Sequence, residues 1–411
     1  MRNKHNDLEG LARGLDISPS MHHETIQRYG AISEYINSHG IDAKFYPQGS
    51  FRTGTVVRPL KNGVESDFDI DVVCEFSAVK NTITPQQVKQ SVGNVLQQSA
   101  LYNSKLQPED SRCWTLQYDA ELANGVGLKL DVVPCAKEAP DRIWELKAKN
   151  IPAGFAEQAV AITEKNGTKY SWLPSNPGGY GDWFDQINKR FLLVNLQERK
   201  AQFLKENHNI FSADATIEDV PDYYIKTSLQ RVIQLMKRHR DIYYSRVKNG
   251  KDLRPASVII TTIAAKIASY SATYQIDDLL KYVITEMNNY APLMTHQFPK
   301  TPHFGTSETI IQRKDQKWII PNPVNPDDNY ADSWTDETAK EFFCWISALN
   351  NDFVVTSTDN EARYFTTLKS GLGVTLVERA LPDSKQNIPN NPRPIVNQAK
   401  PWGVKHDSNR V

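Results

Sequence analysis

The sequence predicts an α+β fold with two lobes, in which a lobe built on a mixed β-sheet is followed by a helical lobe. Polar and apolar residues alternate in strand-like fashion in several segments between residues 43 and 134, whereas apolar residues at helical spacing dominate from Tyr223 to Asp352. Hydrophobic residues make up 39% of the 411 residues and aromatic residues 10%. This composition is sufficient for one large core or two moderate ones and excludes a wholly disordered chain.

The chain divides into four predicted parts. We expect an N-terminal helix within residues 1–40, the sheet lobe in 41–210, the helical lobe in 211–383 and a flexible tail in 384–411. The tail is rich in Pro and Asn and shows no hydrophobic periodicity, which is typical of an exposed segment. No internal repeat is visible.

The first half of the chain predicts a helix followed by strands. The helix covers Ser20–His39, where apolar residues recur at helical spacing and Gly40 provides a stop. The later elements are an extended piece at 43–47 (AKFYP), a turn-like segment at 48–55 (QGSFRTGT), a strand at 56–60 (VVRPL), a turn at 61–63, a strand at 67–76 (DFDIDVVCEF), a helix at 85–98, and strands at 113–118 and 127–134.

The second half is predicted to be helical. A loop-rich stretch, SWLPSNPGGYGDWF, precedes it at residues 171–184. The predicted helices are Asp182–Lys205, Tyr223–Tyr244, Ala256–Tyr270, Asp277–Asn289 and Thr335–Asp352.

Several classes of protein are disfavoured by simple sequence features. No apolar run approaches the ~20 residues of a membrane span, and the N-terminus MRNKHNDLEG lacks the apolar stretch of a signal peptide, so we expect a cytoplasmic protein that does not contact a membrane. The four cysteines lie far apart without a CxxC pair, which argues against a zinc ribbon and a disulfide framework. Cys74 and Cys135 lie in apolar stretches and are predicted to be buried thiols.

Charge is balanced overall but segregated along the chain. The 48 Lys and Arg residues equal the 48 Asp and Glu residues in number. Residues 65–75 (ESDFDIDVVCE) carry five carboxylates and no base, whereas residues 225–254 carry nine Lys or Arg against Asp241 and Asp252. Both runs could be solvated faces, or they could build a strong local field.

The acidic run predicts a metal site. In a strand, Asp67, Asp69 and Asp71 project from one face while the apolar residues between them project from the other. Like charges stacked on one face repel unless a cation lies among them. Asp131 interrupts the apolar strand LKLDVVP, where an unpaired charge is costly and a charged partner or a metal is needed.

Gly49 and Ser50 precede the acidic strand in a small turn. A glycine allows backbone amides to approach a phosphate, and a serine hydroxyl adds a donor. The ordered set Gly-Ser, Asp-x-Asp and a later Asp resembles the nucleotidyltransferase signature of the DNA polymerase β-like superfamily, which implies a bilobed polymerase β-like fold. The long interval from Ser50 to Asp69 fits a hairpin through VVRPLKNGVE. Asp67 with Asp69 and Asp69 with Asp71 both match the pattern, and we prefer Asp69 and Asp71.

Three carboxylates of this kind can hold two Mg²⁺ ions, for which Mn²⁺ is a possible substitute. One ion lowers the pKa of an attacking hydroxyl, and the other neutralises the triphosphate and the leaving pyrophosphate. The predicted reaction is nucleotidyl transfer to a 3′- or 2′-hydroxyl.

The basic run contains an amphipathic helix, YYIKTSLQRVIQLMKRHRD, at residues 223–241. Lys237 follows Ile233 by four residues, so its stem can lie along apolar surface while its ammonium reaches a cleft between the lobes. A lysine there could hold a triphosphate, although a surface lysine is the simpler interpretation of this residue alone. Arg238, His239 and Arg240 are expected to be solvated or structural.

Six segments resemble bacterial CD-NTases, relatives of cyclic GMP-AMP synthase that make cyclic oligonucleotide signals in anti-phage (CBASS) defence. They are GSFRTGT, SDFDIDVV, LKLDVVP, SNPGGYGDWF, LMKRHRD and NPVNPDDNYADSW. The resemblance implies that Gly49 and Ser50 bind donor phosphates and that Asp69, Asp71 and Asp131 bind metal, with Asp131 helping to activate the acceptor hydroxyl. It also implies that Lys237 and Ser257 contact the triphosphate.

The same resemblance implies substrates and partners. The expected product is a cyclic di- or trinucleotide made from ATP or GTP, with UTP and CTP as further substrates to consider. We expect a monomer that needs no long nucleic acid, and a C-terminal tail that could bind an operon-encoded effector or regulator.

Two other functions fit parts of the pattern. One is transfer of a nucleotide to an RNA end or a small molecule such as an aminoglycoside, for which the basic or aromatic module that would bind RNA is not evident. The other is a non-catalytic nucleotide sensor, which the retention of all three carboxylates disfavours.

Overall fold

The computed structural model describes residues 2–58, 60–61, 64–65, 67–119, 127–208, 211, 215–302 and 309–385. Residues 386–411, nearly all of the predicted tail, lie outside these ranges, as do Asn62 and Gly63 of the predicted turn at 61–63. The described residues form a mixed sheet lobe and an extensive set of helices, as the α+β prediction requires. The four-part division of the chain stays a prediction.

Strands occupy three regions of the chain. The main sheet uses β1 (Ala43–Pro47), β4 (Phe68–Val79), β5 (Trp114–Tyr118), β6 (Leu128–Lys137), β7 (Val160–Asn166) and β8 (Lys169–Ser175). Short hairpins are formed by β2 (Leu60–Lys61) with β3 (Val64–Glu65), β9 (Gln312–Lys314) with β10 (Lys317–Ile319), and β11 (Pro321–Asn322) with β12 (Asn325–Asn329).

The main sheet is mixed and has the order β1-β4-β6-β7-β8, with β5 also paired to β6. The β4 and β6 strands are parallel neighbours, whereas the other pairs are antiparallel. Because β5 pairs with the first half of β6 and β7 with the second half, β6 has neighbours along its whole length. This places the two strands that carry the predicted metal ligands side by side.

Helices lie before, between and after the strands of the main sheet, and the later helices form the second lobe. The helices are α1 (Lys4–Arg13), α2 (Pro19–Ser38), α3 (Gly49–Arg52), α4 (Pro85–Gln98), α5 (Ala100–Asn103), α6 (Pro140–Ala148), α7 (Ala153–Ala156), α8 (Pro177–Leu192), α9 (Leu196–Glu206), α10 (Ser228–Tyr244), α11 (Gly250–Leu253), α12 (Ser257–Ala268), α13 (Ile276–Asn288), α14 (Asp336–Leu349), α15 (Glu361–Leu372) and α16 (Val374–Ala380). A π-helical turn, Asn350–Val355, extends α14.

One face of the main sheet is covered by helices α2 and α4. Phe68, Ile70 and Val72 alternate along β4 and pack in one buried cluster with Val88 and Val92 of α4. The α4 helix begins with a capping box at Thr84 and has Pro85 in its first turn, two signals that stop and start a helix at this point. The alternation therefore leaves the acidic residues of β4 on the opposite face of the sheet.

The helical core is assembled around α10, α12 and α13. The α12 helix, SVIITTIAAKIA, is apolar on nearly all sides and almost wholly buried, as expected of a central helix. Leu8 and Leu11 of α1 join this core, and so do Phe184 and Phe191 of α8. Helices from the N-terminal region and from the middle of the chain therefore contribute to the same core.

The structure corrects three predicted elements. Among the described residues of the predicted strand VVRPL, 56–58 have no regular secondary structure and Leu60 alone lies in a strand. The predicted helix Asp182–Lys205 is divided into α8 and α9 because Asn195 adopts a left-handed conformation with φ of 50°. The SNPGGYGDWF stretch is not all loop, since Asn176 caps α8 and Pro177 begins it.

Other elements were not predicted at all. They include α1, the β7–β8 hairpin and the helices after residue 352, α15 and α16. The cysteine thiols are free, and Cys74 and Cys135 are buried as predicted. No helix in the described ranges is long and apolar enough to span a bilayer.

Candidate active site

The predicted metal ligands lie next to one another on the face of the sheet opposite the α4 helix. The parallel register of β4 and β6 sets Asp71 opposite Asp131 and Asp69 opposite Lys129. Asp69 is exposed, whereas Asp71 and Asp131 are half-buried. The structure therefore brings the three carboxylates together, and it adds Lys129 as a cationic neighbour that the sequence pattern did not identify.

Gly49 and Ser50 lie at the β1 edge of this acidic face. The backbone N–H of Gln48 donates to the carbonyl oxygen of Asp71 over 2.9 Å, so the turn after β1 continues alongside β4. Gly49 has φ of 62°, and a Cβ added to it would lie 3.1 Å from Oδ2 of Asp71. Glycine therefore serves two needs here, the left-handed backbone and the close approach to a carboxylate.

Crowding and burial shift the titration of the acidic pair. Burial, together with the charges of Asp131 and Asp69, raises the pKa of Asp71 to about 6. Partial desolvation also raises the pKa of Asp69, with Asp131 and Asp67 adding to the effect and Lys129 opposing it. Burial is the largest cause of both shifts, and the neighbouring carboxylates add to it.

Asp67 is engaged elsewhere. Its Oδ1 accepts from the backbone N–H of Gly127 at 2.9 Å, and its Oδ2 accepts from Nε2 of Gln117 at 3.2 Å. These contacts hold the start of β4 against β5 and the start of β6. They support our preference for Asp69 and Asp71 as the metal-binding pair and a structural role for Asp67.

The residues on this face have the chemistry of a hard-cation site. Their carboxylate oxygens are ligands that Mg²⁺ prefers, and the raised pKa values show negative charge that a cation would neutralise. Within the described ranges, no three His, Cys, Asp or Glu side chains converge closely enough to hold an ion unaided. Mg²⁺ is commonly bound by one or two carboxylates together with substrate phosphates and water, so the donor set fits a metal that arrives with a nucleotide.

Gly49 and Ser50, predicted to lie in a turn, begin the short helix α3, and Lys237 lies beside the segment that follows this helix. It is 4% exposed, and its ammonium donates to Oγ1 of Thr55 at 2.8 Å and to the carbonyl oxygen of Thr55 at 3.3 Å. Burial and the charge of Arg240 lower the pKa of Lys237 to about 7. The structure thus connects a predicted phosphate-binding lysine of the helical lobe directly to the segment that follows Ser50.

Comparison with known proteins gives this geometry a family. Residues 43–126 match the family model described as cyclic GMP-AMP synthase DncV-like, nucleotidyltransferase domain. A c-di-GMP synthase of Roseivirga ehrenbergii is 28% identical over 353 residues, which is 84% of this chain and 77% of that protein. The cyclic dinucleotide synthase CdnG of Bradyrhizobium diazoefficiens is 25% identical and covers 81% of this chain and 71% of its own length. Together these matches support a bacterial CD-NTase.

Solved structures agree with this CD-NTase in fold. The Bradyrhizobium diazoefficiens CdnG structure, a complex with GTP, aligns with a TM-score of 0.64 at 21% identity and covers 93% of this chain and 99% of its own. The E. coli CdnC structure with ATP gives a TM-score of 0.55 at 14% identity and covers 91% and 99% of the two chains. The polymerase β-like fold predicted from the sequence is thereby confirmed. Nucleotidyltransferases of this family generally use a divalent metal.

Two of the CD-NTase sequence segments contact each other. Arg52 of GSFRTGT donates to Oδ1 of Asp182 at 2.9 Å and pairs with Oδ2 of Asp185 at 2.7 Å. A Cβ on Gly181 would lie 2.6 Å from Nε of Arg52, so a glycine is needed where the guanidinium crosses α8. The sequence showed both segments but not this pairing, because it joins residues more than a hundred positions apart.

Ser257 begins α12, as predicted, but its hydroxyl is already in contact with an arginine. Nη1 of Arg240 donates to Oγ of Ser257 and to the carbonyl oxygen of Pro255, both at 3.0 Å. Ser257 is half-buried. Its role at the triphosphate in this CD-NTase stays a prediction.

The basic residues after Lys237 are structural rather than solvated. Arg238, His239 and Arg240 are each less than a tenth exposed. Arg238 donates to the carbonyl oxygen of Arg58 at 2.6 Å, and His239 lies between Nε1 of Trp345 at 3.1 Å and Oδ2 of Asp352 at 3.2 Å. Their charges and polar atoms are therefore used inside the CD-NTase fold.

Proposed function

We propose that this CD-NTase joins nucleoside triphosphates and closes them into a cyclic dinucleotide or trinucleotide, releasing pyrophosphate at each step. The observation that carries the proposal is the position of Asp71 opposite Asp131 on the parallel strands β4 and β6, with Asp69 on the same face and Gly49 beside Asp71. Lys237 contacts the segment immediately after Ser50. The residues proposed to bind the donor phosphates are thus adjacent to the carboxylates, as nucleotidyl transfer requires.

Asp69, Asp71 and Asp131 would hold two Mg²⁺ ions, or Mn²⁺ in their place. When bound, the metal lowers the pKa of the acceptor hydroxyl and neutralises the charge of the donor triphosphate. Gly49 and Ser50 hold the donor phosphates, and Lys237 and Ser257 contact the triphosphate from the helical lobe. These residues orient the donor so that its α-phosphorus faces the acceptor.

Asp131 assists by accepting the proton of the acceptor hydroxyl. The acceptor oxygen forms a bond to the α-phosphorus as the bond from that phosphorus to the α–β bridging oxygen breaks, and pyrophosphate leaves with the electron pair. The linear product then presents its own hydroxyl to its own remaining triphosphate. A second transfer of the same kind closes the ring.

GTP is the first substrate to test. The Roseivirga relative is a c-di-GMP synthase, and the CdnG structure contains GTP. The CdnC structure contains ATP, so ATP is the next candidate, followed by UTP and CTP. We propose cyclic di-GMP as the first product to look for.

We place the enzyme in the cytoplasm, in CBASS anti-phage defence, and expect a monomer that needs no long nucleic acid. Its C-terminal tail, which lies largely outside the described residues, would bind an operon-encoded effector or regulator. The family assignment supports this setting, because bacterial CD-NTases make signals that such effectors read.

The decisive experiment supplies the purified protein with Mg²⁺ and labelled triphosphates, singly and together, without any other acceptor. We expect pyrophosphate and a low-mass, phosphatase-resistant product, with its bases and linkages read by mass spectrometry and nuclease digestion. The Asp69→Asn/Asp71→Asn double variant should lose both products. Asp119→Asn, which changes an exposed aspartate at the end of β5, is the matched control and should retain them.

Each contrary result points to a different conclusion. Full activity in the double variant would refute the metal assignment. Nucleotide transfer only when an RNA or an aminoglycoside is added would favour a transferase with a separate acceptor. Nucleotide binding without turnover in both Mg²⁺ and Mn²⁺ would favour a non-catalytic sensor.

A further inference from the structure

Thr115 is in contact with one of the three proposed metal ligands. It lies on β5, directly opposite Asp131 in the antiparallel register of β5 and β6. Its hydroxyl Oγ1 donates to Oδ1 of Asp131 over 2.5 Å. This distance is at the short end for a hydroxyl-to-carboxylate hydrogen bond, which is typical of a charge-assisted contact.

The strand pattern explains why a hydroxyl is available there. Trp114, Leu116 and Tyr118 are buried on one face of β5, whereas Thr115 and Gln117 are half-buried on the other. Threonine is branched at Cβ and therefore restricted at χ1. The backbone pairing of β5 with β6 consequently fixes the hydroxyl relative to Asp131.

The hydroxyl of Thr115 has a second neighbour, the thiol of Cys113, which is compatible with donation from Thr115 to Asp131. Sγ of Cys113 lies 3.7 Å from Oγ1 of Thr115. Burial and the charge of Asp131 raise the pKa of Cys113 to about 12, so the thiol remains protonated and can donate to Oγ1. The Thr115 proton is then available to the carboxylate, which can only accept.

We propose that Thr115 is a positioning residue for nucleotidyl transfer: its hydroxyl holds Oδ1 of Asp131, so that the second oxygen, Oδ2, interacts with the metal and the acceptor hydroxyl. This inference rests on the proposed function, because it assigns Thr115 a role through Asp131. Removing the hydroxyl leaves the charge of Asp131 in place but allows its carboxylate to rotate. Partners of this kind typically affect metal affinity or activity about ten- to a hundredfold when mutated.

The test compares Thr115→Val, which keeps the shape and removes the hydroxyl, with Thr115→Ser, which keeps the hydroxyl. Thr163→Val is the control, because Thr163 lies in the same sheet and its buried hydroxyl has no hydrogen-bond partner among the described residues. Two quantities are measured for each protein: the affinity for Mn²⁺ by electron paramagnetic resonance in the presence of a non-hydrolysable GTP analogue, and kcat and KM for GTP in cyclic product formation.

We expect Thr115→Val to lower Mn²⁺ affinity or kcat about tenfold or more while KM for GTP changes less than about threefold. Thr115→Ser should stay within about threefold of the parent protein in both quantities, and Thr163→Val should match the parent. Unchanged Mn²⁺ affinity and kcat in Thr115→Val would overturn the inference. So would equal losses in the Ser and Val variants, because these would show that the methyl group, not the hydroxyl, is needed.

The Mn²⁺ measurement separates this inference from the proposed function. If the parent protein makes no cyclic product, the proposed function fails, yet weaker Mn²⁺ binding by Thr115→Val than by Thr115→Ser would still support the positioning role. If the parent makes the product and the two Thr115 variants behave alike, only the positioning role fails.

Discussion

Asp71 is held in the folded protein at a cost in stability. Its pKa is about 6 in the fold and 3.8 ordinarily, so the folded state binds a proton more readily than the unfolded state between these values. Stability is therefore lost as the pH rises from about 4 to about 6. An amide resembles the protonated carboxyl and does not carry this cost.

We therefore predict that Asp71→Asn stabilises the metal-free protein by about 2 kcal/mol above pH 6 and by little below pH 4. Thermal unfolding in the presence of a chelator at pH 4 and pH 7.5 measures the difference, with Asp119→Asn as the control. The same variant should be inactive. Equal or lower stability than the parent at pH 7.5 would contradict the electrostatic account of this face.

A second prediction at the residue scale concerns Lys237, whose pKa is about 7 in the protein without nucleotide. At pH 8 most of the lysine is neutral, and a bound triphosphate would favour its charged form. Binding of GTP at pH 8 should therefore take up close to one proton per nucleotide. Calorimetry in buffers with different ionisation enthalpies measures this uptake.

Lys237→Met should abolish most of the proton uptake, whereas Lys266→Met should leave it unchanged. Lys266 is a suitable control since burial also lowers its pKa, to about 8, but it is not among the proposed phosphate-binding residues. Uptake that persists in Lys237→Met would show that another group titrates on binding.

At the residue scale, the sequence predicted which side chains share a face better than which side chains are in contact. Asp69, Asp71 and Asp131 could be singled out because alternation in a strand decides which side chains share a face. Thr115 could not, since its contact with Asp131 depends on how β5 pairs with β6. The Thr55–Lys237 contact spans 182 positions, and hydrophobic spacing carries no information about it.

At the scale of elements, α10 and the segment 53–58 form one unit. Four α10 side chains donate to backbone carbonyl oxygens of this segment: Gln230 to Thr53 at 2.9 Å, Gln234 to Val56 at 2.7 Å, Lys237 to Thr55 at 3.3 Å and Arg238 to Arg58 at 2.6 Å. Successive donors are four, three and one residues apart, and all of them lie on one side of the helix. A helix, instead of a neighbouring strand, satisfies this backbone, which explains why the strand predicted at VVRPL is absent over 56–58.

Gln234 tests this arrangement. It is 1% exposed and also donates to Oδ1 of Asp16 at 2.8 Å. Gln234→Ala leaves a buried carbonyl and a carboxylate with one donor fewer, and we expect a loss of about 2–3 kcal/mol in stability. Thermal and urea unfolding measure it, and Gln97→Ala, at an exposed position of α4, should change stability by less than about 0.5 kcal/mol.

Activity provides a second readout for the same variant. Because the segment 53–58 follows the proposed phosphate-binding turn, Gln234→Ala should also raise KM for GTP at temperatures where the protein remains folded. A stability loss without any change in KM would show that α10 supports the fold but not the turn.

Element prediction succeeded where the local signals agreed. The α4 helix occupies the predicted 85–98 because its capping box, proline and apolar spacing coincide. Helix α1 was missed although Leu8, Leu11, Ala12 and the following Leu15 are buried at helical spacing, because its ten residues contain only about one such repeat. The α8–α9 break depends on a left-handed Asn195, a conformation that asparagine tolerates but that its identity alone does not require.

At the scale of the whole molecule, the balanced charge has a structural explanation. The acidic run lies on the open face of the sheet, whereas Arg231, Lys237, Arg238 and Arg240 of the basic run are each less than a tenth exposed. The α10 part of the basic run is therefore an internal bonding surface, whereas Arg246, Lys248, Lys251 and Arg254 beyond it are exposed. The buried side chains of α10 are unavailable to a long polyanion.

We predict that long duplex DNA does not stimulate synthesis. With zero net charge and the basic side chains of α10 buried, nonspecific binding should be weak, and the rate of cyclic product formation should change less than about twofold on adding DNA between 50 and 200 mM salt. The control is an equal mass of a very short duplex. Stimulation by long DNA that disappears at high salt would contradict this prediction.

The contacts between α10 and residues 53–58 also have a consequence for synthesis of the chain on the ribosome. The carboxylates of β4 and β6 are translated before residue 132, whereas the donors that order the segment after Ser50 come from residues 230–238. A nascent chain that ends between these points has the acidic strands but lacks the partners of the segment that follows the proposed phosphate-binding residues. The emerging chain therefore gains a complete site only when about half of it has been translated, and production of a signalling nucleotide is delayed until the helical lobe exists.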